Sequence, residues 1–131
     1  MPITVNSLDT NIVLRFLLDD IPEQTIKARS VIVNSPCYVT DVVITEVVLV
    51  LESVVGMGRT DLANLIQKFL DLPTMVYNDY FLDQVIDLYK VHSTLSFVDC
   101  YAAVEAKVYS NSLITFDKQL VKHGGSHIKE P

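Results

Sequence analysis

Between Asp41 and Leu51 the chain reads DVVITEVVLVL, an apolar run interrupted only by Thr45 and Glu46. Read as a helix, it sets Val42, Val43, Leu49 and Val50 on the face that carries Glu46. A carboxylate directed into such surroundings must be protonated, paired with a cation or bound to a metal. Buried alone and ionised, it would cost more than a domain's net stability. The rest of the chain is therefore read for what can meet Glu46.

With 131 residues, half of them hydrophobic, the sequence predicts a single domain over 1–131 with a sizeable core. The mean hydropathy of +0.33 is high. Yet the apolar run from Val47 ends at Glu52, too short for a membrane span. Met1-Pro2-Ile3-Thr4-Val5-Asn6 has neither the basic region nor the apolar block of a signal peptide, so a cytoplasmic protein is expected. Cys37 and Cys100 stand apart, without metal-ligand spacing, which suits a reducing compartment and small core or near-surface thiols. The net charge of −6, from 16 acidic and 10 basic residues, disfavours a broad basic surface for nucleic acid. It leaves room for a nuclease whose acids hold divalent cations.

In chain order, Ile3 to Leu8 predicts a short strand running into Asp9-Thr10-Asn11, and Ile12 to Leu18 a helix that Asp9 would cap. Pro22 opens a second helix, expected to turn Ile26 and Val33 inward. Cys37-Tyr38-Val39 reads as extended, and Thr40 as the cap of the Glu46 helix. Gly56 to Arg59 predicts a turn into a helix with the stripe Leu62, Leu65, Ile66 and Phe69, giving an antiparallel hairpin with the Glu46 helix. Thr74 to Tyr77 is a second strand candidate, and Leu82, Val85, Ile86 and Tyr89 mark a further helix ending at His92. Ser96-Phe97-Val98-Asp99 has the form of a capping box, and Asp99 shares its face with Ala102, Ala103 and Ala106. Asn111 reads as the C-cap, Leu113 to Phe116 as a buried strand delivering Asp117, and Ser126 to Lys129 as an edge strand. His123 and His127 read as surface residues. Tyr38, Tyr77 and Tyr101 read as packing residues first and base-stacking residues second.

Strands alternating with helices predict an α/β fold with a mostly parallel central sheet, in which sites form beyond the carboxyl ends of strands. Asp9 and Asp117 both fall there. Singly, Asp9 and Asp117 read as caps and Asp99 as a capping-box acid. Converging with Glu46 and with no Lys or His between them, they would need a cation, and hard oxygen ligands select Mg²⁺ or Mn²⁺.

Leu8-Asp9-Thr10-Asn11, Ile44-Thr45-Glu46, Ser96 to Ala103 and Ile114-Thr115-Phe116-Asp117 resemble the four acidic motifs of PIN-domain ribonucleases. Length and order look like the VapC toxins of toxin–antitoxin pairs, from about Val5 to about Gly124. Asn6-Ser7 depart from the more apolar residues usual before the first acid. The resemblance implies a PIN-like α/β/α sandwich and a metal-dependent endoribonuclease. Asp9, Glu46, Asp99 and Asp117 would hold Mg²⁺ or Mn²⁺, with Asn11 and Thr115 supporting them by hydrogen bonds. It implies hydrolysis by an activated water, leaving 5′-phosphate and 3′-hydroxyl ends. It also implies a homodimer and a cognate VapB-like antitoxin. Arg15 is a candidate contact for substrate phosphate or an acidic antitoxin residue.

Two rival readings stand beside this one. Aspartate-based phosphotransfer domains want a second Asp two residues after the first, or adjacent acids before the first helix, and Asp9-Thr10-Asn11 supplies neither. A non-catalytic PIN-like binding module would have little use for four costly acids.

Overall fold

The structure, a computed structural model, describes residues 4–131, so Ile3 of the expected first strand lies outside the described residues. Five two-residue strands form two parallel ladders. In the first, β1 (Asn6–Ser7) pairs with β2 (Cys37–Tyr38), and β2 with β3 (Met75–Val76). In the second, β4 (Leu113–Ile114) pairs with β5 (Ile128–Lys129), Leu113 opposite Ile128. Every expected strand is present and each is shorter than expected; Leu113 to Phe116, expected to be buried, has Ile114 56% and Phe116 86% exposed. Single bonds continue the ladders by one residue, from Leu8 N–H to the Tyr38 carbonyl (2.9 Å), Val39 N–H to Val76 (3.1 Å) and Thr115 N–H to Lys129 (3.0 Å). Beyond them the backbone turns into the next helix, so no further pairing is made.

Seven α-helices connect and cover these strands among the described residues: α1 (Thr10–Leu18), α2 (Pro22–Asn34), α3 (Asp41–Val50), α4 (Arg59–Leu70), α5 (Leu82–Val91), α6 (Phe97–Val108) and α7 (Lys118–His123). Their starts follow from local chemistry. The Asp9 carboxylate accepts the Ile12 N–H, the Thr40 hydroxyl accepts the Val43 N–H, and Pro22 opens α2 where no N–H is needed. α3 runs on into a π-helical turn, Leu51–Val55, closed by Gly56 at φ 77°, a left-handed conformation that glycine takes without strain. α6 ends at Tyr109 rather than at Asn111, because Ser110 takes the left-handed position at φ 59°.

Packing overturns three expectations. The buried stripe of α3 is Ile44, Val47 and Val48, continued by Leu51, while Val42 is 76% and Leu49 45% exposed. Glu46 therefore points to solvent, and the burial cost argued for it does not arise. On α2 the inward face is Thr25, Ala28 and Ile32, leaving Ile26 and Val33 exposed. Its small residues let α2 lie close on α1, and the Thr25 hydroxyl donates to the Arg15 carbonyl (3.0 Å). Finally, α3 lies against α1 and α6 whereas α4 packs on α5, so α3 and α4 meet mainly through the π-helical turn. One core gathers Val13, Ile44, Leu62, Ile66, Leu82, Tyr89 and Phe97 with both cysteines. The arrangement is α/β/α, and no helix among the described residues is long and apolar enough to cross a membrane.

Candidate active site

Three of the four acids start helices. Asp9 follows β1 and caps α1, its Oδ1 accepting the Ile12 N–H at 3.0 Å. Asp117 follows β4 and caps α7, its Oδ1 accepting from Gln119 (2.9 Å) and Leu120 (3.2 Å). Its own N–H donates to the Thr115 hydroxyl (3.0 Å), the supporting contact expected of Thr115. Asp99 completes a reciprocal box at the start of α6: its N–H donates to Ser96 Oγ (3.0 Å), and its Oδ2 accepts the Ser96 N–H (3.3 Å). The second oxygen of each aspartate accepts no hydrogen bond from the described residues. Asp9, Glu46 and Asp117 are exposed and Asp99 is half-buried.

Glu46 borders a cleft of about 420 Å³ between α3 and α6, lined also by Asp41, Val42, Leu49, Val98 and Tyr101. Val98 and Tyr101 flank Asp99 in sequence, so the contact of α3 with α6 sets Glu46 and Asp99 on adjoining elements. At the cleft, Asp41 Oδ2 accepts hydrogen bonds from the Tyr101 hydroxyl and from Asn78 Nδ2 (2.8 Å). Its Oδ1 is buried without a partner. Burial, then the bond to Asp41, pushes the Tyr101 hydroxyl's pKa above that of an ordinary tyrosine. Sequence reasoning passed over Asp41. An acid in the first turn of a helix is expected for the dipole alone, and only the cross-element bonds distinguish it.

Asp9 and Arg15 line a second cleft, of about 290 Å³, with Asn11, Ile12, Gln24 and Lys27. Arg15 Nη1 is tied to Asp20 Oδ1 at 2.8 Å. Asn11 is exposed beside Asp9.

The approach to Asp99 is fixed by a residue the sequence reading left in a turn. Arg59, the first residue of α4, donates through Nη1 to the carbonyls of Tyr89 (2.9 Å), His92 (3.3 Å) and Leu95 (2.7 Å), and through Nη2 to Ser93 (3.2 Å). Its guanidinium lies 4.1 Å from the Tyr89 ring centroid, and the Tyr89 hydroxyl donates to Glu52. The loop from α5 to Ser96 thus hangs from one side chain. The histidines expected at the surface are half-buried instead. His123 stacks on His92 with centroids 5.1 Å apart, and His127 Nε2 lies 2.6 Å from the Ala103 carbonyl.

The donor set suits a hard divalent cation: four carboxylates, none paired with a cation, since the one ion pair among the described residues is Arg15–Asp20. The arrangement does not gather them into a finished site. Among the described residues no three His, Cys, Asp or Glu side chains stand close enough to share an ion.

No curated protein and no solved structure gives a significant match to the chain. The sequence model of the PIN domain matches residues 7–125, which takes in β1, the Asp9 cap, the Glu46 helix, the Asp99 box and the Asp117 cap. By that match over most of its length, the chain belongs to the PIN domain family.

Proposed function

We infer that this chain, as PIN domains generally do, serves as a nuclease domain and uses a divalent metal such as Mg²⁺. We propose that this chain is an endoribonuclease toxin of the VapC type, a homodimer neutralised by a cognate antitoxin, with Asp9, Glu46, Asp99 and Asp117 as its Mg²⁺ or Mn²⁺ ligands. The observation that carries the reading is the placement of the aspartates. Each stands in or at the first turn of a helix, two of them within three residues of the end of a parallel strand, and each keeps an oxygen that the helix amides do not use. A bound divalent ion would acidify water and offset charge on the phosphate. This chain's residues would orient the carboxylates: the Thr115 hydroxyl through the Asp117 N–H, Ser96 through the capping box, and Asn11 by its amide beside Asp9. The carboxylates must draw together to share an ion, and binding should therefore raise the melting temperature.

The test is purified, antitoxin-free protein mixed with total cellular RNA in Mn²⁺ or Mg²⁺, beside an EDTA control and Asp99→Asn, with the cut ends mapped. Discrete cuts bearing 5′-phosphates, lost in EDTA and in the variant, together with a Mn²⁺-dependent rise in melting temperature, are expected. RNA left equally intact by both proteins, with no Mn²⁺ effect on melting, would overturn the proposal and leave a non-catalytic binding module. The separation of the acids is the observation that favours that second reading.

A further inference from the structure

We propose that the groove between α1 and α2 binds the ribose-phosphate backbone of single-stranded RNA, with Lys27 and Arg15 contacting phosphates beside the scissile one. This rests on the nuclease reading of Asp9. Asn11 and Arg15 lie four residues apart on α1, and Gln24 and Lys27 three apart on α2, so each pair shares one helix face. The two faces meet across the packed pair α1 and α2 and line one cleft of about 290 Å³, with Asp9 among the lining residues. Apart from Asp9, the polar lining consists of side chains that donate hydrogen bonds: two amides, a guanidinium and an ammonium. Such a concentration stands out on a chain of net charge −6.

The two cations differ in kind. Arg15 is held by Asp20 with its side chain 18% exposed, so its charge is partly offset and its guanidinium is fixed in place, with the N–H groups that Asp20 does not use left to donate. Lys27 is exposed and acts as a mobile point charge. From Asp9 to Arg15 the chain rises about 9 Å along α1, between one and two nucleotide steps of an extended strand. A strand with its scissile phosphate at Asp9 therefore brings a nearby phosphate to Arg15 and Lys27. Phosphate and carboxylate alike meet the charge of Asp9, so it is the regular succession of anions along a nucleic-acid backbone that favours RNA over an acidic peptide. None of these side chains reads a base edge, so the contact is one of position and not of sequence.

The experiment measures binding of short fluorescein-labelled single-stranded RNAs of unrelated sequence to the wild-type protein and to Lys27→Gln in EDTA, over a series of KCl concentrations. Steady-state cleavage in Mn²⁺ is measured alongside. For Lys27→Gln we expect roughly three- to tenfold weaker binding for every RNA, and a slope of log K against log salt smaller by about 0.7. In cleavage, KM should rise while kcat stays near the wild-type value. An unchanged affinity and slope, or a loss confined to one RNA sequence, would overturn the groove assignment. The nuclease reading fails separately: RNA bound with the expected salt slope but never cut leaves the groove standing without it.

Discussion

Cys100 shows how position in the core dictates reactivity at the scale of one residue. It sits one place after Asp99 in α6, fully buried, and burial pushes its thiol up to about 12. At pH 8 about one molecule in ten thousand would then carry the reactive thiolate. Iodoacetamide at that pH should leave Cys100 unmodified in the folded protein and alkylate it in urea, as read by mass spectrometry. Ready labelling of the native protein would contradict the burial. Single residues were also where the sequence was most legible. Asp9, Thr40, Ser96 and Asp117 were readable as helix starts because a short oxygen-bearing side chain before an apolar run has few other uses. Glu46 was misread because α3 carries apolar residues on more than one face, and only the neighbours in space decide which is buried.

Between elements, Arg59 joins the start of α4 to the end of α5 and to the loop entering α6. Removing it leaves several carbonyls without donors, so Arg59→Met should lower stability by about 2–4 kcal/mol. Arg59→Lys should recover less than half of that, since an ammonium lacks the planar fork. Urea denaturation at neutral pH measures both, and a loss below about 0.5 kcal/mol for the Met variant would be incompatible with the clamp. No sequence pattern announces such a contact, because its acceptors are backbone carbonyls 30 to 36 residues away. The same blindness explains α2. Its stripe of Thr25, Ala28 and Ile32 is less hydrophobic than the alternative through Ile26 and Val33, and close approach to α1 decides for the smaller residues. On α4 and α5, where one stripe dominates, the expected inward faces are the observed ones, with Leu65 only half-buried.

For the molecule as a whole, alternating strands and helices were sufficient to foresee an α/β fold and parallel pairing, and the resemblance to PIN domains supplied the α/β/α layering. The division of the strands into two ladders, and the spacing of the four acids across them, were not foreseeable, since both depend on how helices seat against one another. One global property follows from the buried hydroxyls and thiols. Cys100 is pushed up to about 12 by burial, and Tyr77 to about 12 by burial together with its bond to Asp83. Burial raises Tyr89 and Tyr101 as well, and their carboxylate partners add to it. Each group binds its proton more tightly folded than unfolded, so its stabilisation is complete below the unfolded value and declines as pH rises toward the folded one. The melting temperature should therefore be level from about pH 7 to 8.5 and fall steadily between about pH 9 and 12. Scanning calorimetry across that range checks it, and a level profile up to pH 11 would show that these groups ionise as freely as in the unfolded chain.

The aspartates that start α1 and α7 hold their helices through amide bonds that an asparagine carbonyl accepts as well. A chain with asparagine at positions 9 and 117 would lose two negative charges from its candidate centre and keep both helix starts. On the toxin reading proposed above, such a copy would be disarmed without being unfolded: a decoy for the proposed antitoxin.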